Sequence, residues 1–442
     1  MRPMRTRGPG HSWQLVSILC AGLLAVVLTA VWATVTAYRP VTAAAGNGAV
    51  HETSQRAGMG ATAPASAADL AVRLQALLGQ HSILAADVMR SRIRGDDDFV
   101  QAANAALGKN SDAMTTLIGQ LFGSATASSF KPMWSEHVVE VVAYASALAE
   151  HDDAARAHAR EELVEYEKEL ADFLAGASKG RLSPGAANAA VGMHVDHLTT
   201  QADAYAAKDY ATADRINREG YGHAYDLGLA LAEALLPAAD RAALQAPIWR
   251  LRSQLGKLLA EHAVLVQDVN RAAVTNSPDF DAAAKMVNEN TRALASAIDT
   301  LFGAPAAKSF QALWADHVEQ LVAYGAATAA KDSARQDQAR TALREFERQM
   351  ATFLAAATGG RMGEGDLSAA LLAHDQMLLR HADAYGAKDY ATAHDLAHET
   401  YDHMFEVARQ LADAFGATVA SRLPRGGPQT GQGGLAGIVG SR

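Results

Sequence analysis

Histidine is the side chain with the most chemistry to offer in this chain. There are 16, and eight of them fall into four pairs 180 or 181 residues apart: His81/His262, His137/His317, His194/His374 and His223/His403. The other eight, among them His151, His158, His197 and His394, have no histidine at the corresponding place. Each paired histidine lies on an apolar stripe at helical spacing. His137 falls among Phe130, Trp134, Val141 and Tyr144, and His81 among Leu74, Leu78, Leu84 and Val88. His194 shares a face with Val191, Leu198 and Tyr205, and His223 with Ile216, Gly220 and Leu227. The same holds for His262 (Leu258, Leu265), His317 (Trp314, Leu321, Tyr324), His374 (Leu371, Leu378) and His403 (Leu396, Val407).

Eight inward imidazoles need partners, because an unpaired buried polar group costs about 1–3 kcal/mol. Each lies near the middle of its helix, so four per copy share one layer of a bundle. A transition metal, copper or zinc, would satisfy them together, since neutral imidazole suits such ions. Glu136 and Asp316 directly precede His137 and His317, and Glu219 and Glu399 stand four residues before His223 and His403. These acids are candidate ligands, or groups that orient an imidazole. A haem held by two histidines without covalent attachment also fits the pattern. The alternative is a polar core network in which Tyr144, Tyr205, a tryptophan or a buried acid satisfies the histidines without a ligand.

Other chemistries are missing. The only cysteine, Cys20, lies in an N-terminal apolar run, which excludes thiolate metal sites, a cysteine nucleophile and disulfides from the folded part. There is no H-E-x-x-H, G-x-S-x-G, P-loop or C-x-x-C-H motif. The Glu-x-x-x-His spacing differs from the Glu-x-x-His of di-iron bundles. Net charge is −9 without a long basic run, so nucleic acid is not an expected partner. A closed four-histidine site would leave no position for substrate, which argues against an enzyme.

The elements that position the histidines come in two copies. S-F-K-P-M-W-S-E-H-V from Ser129 returns as S-F-Q-A-L-W-A-D-H-V from Ser309, and D-A-Y-A-A-K-D-Y-A-T-A from Asp203 returns as D-A-Y-G-A-K-D-Y-A-T-A from Asp383. Alanine-rich composition, only 12 prolines and the absence of period-two runs predict an all-α fold. The first copy reads as six helices, about 68–92, 97–122, 125–150, 152–177, 184–207 and 209–236. Gly95 with Asp96–Asp98 and Gly123-Ser124 mark breaks, as do Gly180, Pro184 and Gly185. The expected bundles are 67–236 and 249–416, joined by a connector at 237–248 and followed by a Gly-rich tail at 417–442.

The N-terminal segment is different. Arg2, Arg5 and Arg7 precede an apolar run from Leu15 to about Val35, long enough to cross a bilayer. We expect residues 1–39 to form a signal anchor with its N-terminus in the cytoplasm, and 40–66 a flexible tether. The lipid bilayer is then a partner of the N-terminal helix, and the bulk of the chain is extracytoplasmic. Cleavage near Val41-Thr42-Ala43 would release a secreted protein instead.

The block S-F-x-x-x-W-x-[ED]-H-V, with a following V-x-Y and a later D-x-Y-x-A-x-D-Y, resembles the duplicated helical repeat region of bacterial envelope proteins. Some of those are labelled copper amine oxidase because of a neighbouring domain. The resemblance covers about 350 residues and implies an exported helical module. The copper label does not transfer, because the chain lacks the Asn-Tyr and His-x-His contexts of such oxidases. The sequence therefore predicts a membrane-anchored protein with two tandem helical bundles. Its histidines would bind a transition metal or metal-bearing cofactor for storage, delivery or sensing. A structural or interaction module of the envelope is the alternative.

Overall fold

The structure is a computed structural model and describes residues 66–422. The expected anchor and tether, and the tail beyond 422, lie outside the described residues. Among the described residues there are thirteen helices and no strand, and no helix is long and apolar enough to cross a membrane.

The first copy forms α1 (Ala67–Arg94), α2 (Asp97–Phe122), α3 (Ser124–Glu150), α4 (Asp153–Ala177), α5 (Pro184–Ala206) and α6 (Tyr210–Leu235). These helices match the six read from the sequence to within one or two residues. A short α7 (Ala238–Leu244) occupies the connector. The second copy follows as α8 (Pro247–Thr275), α9 (Phe280–Phe302), α10 (Ala304–Ala330), α11 (Ser333–Ala357), α12 (Glu364–Gly386) and α13 (Tyr390–Arg422).

Local chemistry sets the ends. Side chains of Ser66, Asp152, Ser183 and Asp209 accept hydrogen bonds from backbone N–H groups in the first turns of α1, α4, α5 and α6. Gly95 ends α1 in the left-handed region, at φ 74°, which glycine adopts without steric cost. Asp96, at the N-terminal end of α2, makes no side-chain cap bond. Short connections fold successive helices back on one another.

Within each copy the first helix is central. It packs against the second, third, fifth and sixth helices. This is why α1 buries His81 and Gln75 along with its leucines, and α8 buries His262 and Asn270. Both copies lie within one compact unit. They meet through reciprocal contacts. Tyr221 on α6 donates to the carbonyl of Lys257 on α8, and Tyr401 on α13 donates to the carbonyl of Ala76 on α1, each at 3.0 Å. Donors and acceptors are repeat-matched, so one contact is the image of the other about a pseudo-twofold axis. Trp249 adds a bond from its indole N–H to the carbonyl of Ala68 (3.0 Å).

The contact between α1 and α6 is close. A Cβ on Gly228 would lie 2.6 Å from the Cα of Gln75, whereas the matched position in α13 is the fully buried Ala408. Gly228→Ala should therefore lower unfolding free energy by about 1–3 kcal/mol, because backbone must move to admit the methyl. Helix propensity alone would raise stability by about 1 kcal/mol. Urea denaturation reads the sign, and a stabilised variant would refute the close approach.

Candidate metal centre

The first, third and fifth helices of each copy are mutual neighbours. One paired histidine on each therefore reaches a common layer. In α10, Phe310, Trp314 and His317 sit at i, i+4 and i+7, so the aromatic stripe that packs the core carries the imidazole inward.

In copy 2 one ring nitrogen from each of His262, His317 and His374 lies within 4.8 Å of the other two, and all three residues are buried. Ring centroids are 5.5 Å apart for His262–His317, 5.7 Å for His262–His374 and 5.9 Å for His317–His374. Much of their hydrogen-bonding capacity is unused: His262 Nε2, His317 Nδ1 and both nitrogens of His374 have no protein partner. His317 Nε2 lies 2.9 Å from Oδ1 of buried Asp375. Its ring stacks on Phe346 at 4.3 Å. Trp314 closes the cluster, its indole N–H 3.3 Å from His262 Nδ1.

Burial governs the ionisation of this group. It holds the pKa of His317 down to about 3 and those of His262 and His374 well below the usual value, with neighbouring imidazoles adding to the effect on the last two. Burial also pushes Asp375 well above the usual carboxylate range. Glu347 rises to about 7, through burial and the adjacent Asp375. The shifts favour a His317–Asp375 bond between neutral groups over an ion pair.

Copy 1 places His81, His137 and His194 equivalently but completes the site differently. His81 Nε2 and His137 Nε2 are 3.1 Å apart and share a hydrogen bond, and the His81–His194 centroid distance is 5.5 Å. His194 has no partner on either nitrogen. Val195 stands where copy 2 has Asp375, and Tyr166 stacks on His137 where copy 2 has Phe346. Among the described residues, only the copy 2 trio forms a group of three or more ligand side chains with such close donor atoms.

The fourth pair stays outside both trios. His223 Nε2 donates to the carbonyl of Ala190 (2.8 Å) and His403 Nε2 to that of Ala370 (3.1 Å), and both residues are only partly buried. The stripe read along α6 marks the edge of its buried face, which runs instead through Ala213, Tyr221, Ala224, Tyr225 and Leu231. The four acids near paired histidines also point away. Glu136, Asp316, Glu219 and Glu399 are all exposed. A neighbour in sequence is turned about 100° around a helix, and Glu219 instead pairs with Arg215 at 2.8 Å. Tyr144 and Tyr205, expected as imidazole partners in a core network, donate to Asp203 and Asp279 at 3.0 Å.

No family model, curated protein or solved structure matches the chain. The site must be read from its own atoms.

Asp375 is the residue that the pairing of histidines missed. One signal for it was present: an acid replaces the aliphatic Val195 at a position next to a core histidine. It places an acid 2.9 Å from His317 Nε2, a position from which it holds the orientation of the imidazole.

Nine histidines have pKa values lowered by burial: His81, His137, His194, His197, His262, His317, His374, His381 and His394. Six carboxyls are raised: Asp87, Glu140, Asp214, Glu347, Asp375 and Asp402. Each depressed imidazole stabilises the fold above its unfolded pKa of about 6.5, and that stability is lost as pH falls toward the folded value. The raised carboxyls act in the opposite sense, from their unfolded pKa of about 4 upward. Imidazoles outnumber them, so the metal-free protein should lose thermal stability between pH 7 and pH 5. A melting temperature that rises over that interval would contradict the buried, neutral assignment.

Proposed function

We propose that copy 2 binds one transition-metal ion, zinc or copper, through His262, His317 and His374. The observation that carries this reading is the convergence of three buried imidazoles, one nitrogen of each within 4.8 Å of the others, and each ring with at least one unpartnered nitrogen. A metal about 2.0–2.1 Å from each nitrogen needs N···N separations of about 3.3 Å, so the three rings would have to draw together on binding. His317 would bind through Nδ1, with Asp375 holding Nε2. The set is all nitrogen, with an acid behind it, and suits zinc or copper more than magnesium or calcium. Three protein ligands leave a position open, so a haem sandwiched between two histidines is not the favoured cargo.

Copy 1 has the same trio without the acid and is the weaker site. The basic-flanked apolar run at the N-terminus and the resemblance to exported helical repeats support a place at the outer face of a membrane. There the protein would store, deliver or sense the ion.

Trp314 provides a reporter. Its N–H can only donate, so it requires a lone pair on His262 Nδ1. A neutral imidazole that ligates through one nitrogen carries its proton on the other, so metal-bound His262 cannot accept from Trp314. The lost bond costs about 1–3 kcal/mol, small beside the energy of a multidentate metal site.

Untagged full-length chain should take up about one equivalent of zinc(II) or copper(II), with a change in tryptophan fluorescence that Trp314→Phe abolishes. His317→Ala or His374→Ala should remove the uptake and the accompanying rise in melting temperature, while His137→Ala leaves most of both. Asp375→Val should weaken binding about 10- to 100-fold. If no ion raises the melting temperature of the metal-free chain, the metal reading fails and the histidines serve the core alone.

A further inference from the structure

Each copy also contains an apolar cavity beside its histidines. In copy 2 its wall includes Leu259, Ile298, Phe310, Trp314, His374 and Met404. In copy 1 the matched residues Leu78, Ile118, Phe130, Trp134, His194 and Ala224 do the same. The volumes are about 50 Å³ and about 40 Å³. Five of these six matched positions carry the same residue in both copies and one differs, Met404 against Ala224; both copies have a void at the same place.

The wall of copy 2 selects by polarity and size. Among its buried residues, unpartnered polar atoms belong to His374 alone. A buried water needs two to four polar partners, and cavities lined by leucine, isoleucine and phenylalanine stay dry and accept apolar guests. Benzene occupies a void of about 150 Å³, so this one admits something smaller, on the scale of a diatomic molecule or a xenon atom. The cavity also adjoins the trio: His374 belongs to both, and the Trp314 ring in the wall lies 4.7 Å from the His262 ring. A three-histidine metal keeps a coordination position open.

We propose that the copy 2 cavity binds a small neutral apolar diatomic molecule, of the dioxygen or nitric oxide class, and presents it to the open position of the metal. The cavity site stands on its own walls. Its role at the metal rests on the metal reading above.

Two probes on the full-length chain separate these parts. Xenon, followed by 129Xe NMR on metal-free protein, should report two saturable sites per chain. Leu259→Phe, or Leu294→Phe should that variant misfold, fills the copy 2 cavity and should remove one site. The xenon site of copy 1 then serves as the internal check that the fold persists. Cobalt(II), bound anaerobically at the trio, should shift its visible bands on addition of nitric oxide, with affinity at least about tenfold weaker in the filled variant. Absence of xenon from copy 2 in the unsubstituted chain overturns the cavity site. Bound cobalt whose bands ignore nitric oxide overturns delivery to the metal. Xenon uptake without any cobalt uptake supports the cavity as an apolar-ligand site and overturns the metal reading instead.

Discussion

The constraint behind the whole structure is that the first helix of each copy is surrounded. With four other helices of its own copy against it, α1 or α8 has almost no face left for water, so a polar group placed there without a partner carries a desolvation cost. Where protein partners exist they are used: Gln75 receives the Ser253 hydroxyl at 3.0 Å, and Arg90 pairs with Asp214 at 2.8 Å. His262 has Trp314 on one nitrogen and nothing on the other. A neutral imidazole in that position is a ligand atom in waiting, and its neighbours on the third and fifth helices are in the same condition.

Burial and chemistry are thereby linked. Desolvation strips the histidines of their protons, which is what a cation requires of them, and it also keeps Asp375 from standing as a bare charge in the metal-free core. The same dry surroundings leave an unfilled apolar pocket against Trp314 and His374. A polar trio and a greasy void side by side result from packing large aromatics and imidazoles on one helical stripe.

Most of the fold was legible because its determinants are local. Alanine-rich runs, serine and aspartate caps and glycine breaks act within a few residues, and they placed the six helices of the first copy to within one or two residues. The short α7 was not legible, since seven residues between Pro237 and Pro247 carry no readable period. Helical phase brought His81, His137 and His194 to one layer, with their counterparts, but it could not tell the middle of a buried face from its edge, which is where His223 and His403 lie. Asp375 escaped for the opposite reason. It occurs in one copy only, and comparing copies for what they share hides what one of them has added. The reciprocal tyrosine bonds between copies depend on docking geometry, which no local pattern encodes.

Those tyrosine bonds have a consequence for how the two halves differ. A pair of identical subunits related by such an axis would have to carry the same side chain at every matched position, an acid beside both trios or beside neither. Joined in one polypeptide, the halves keep the geometry of a symmetric dimer while escaping its identity rule, so Val195 and Asp375 occupy symmetry-equivalent places. The partnership is also permanent. Dilution cannot separate the half with the acid from the half without it, and each molecule carries one of each at any concentration.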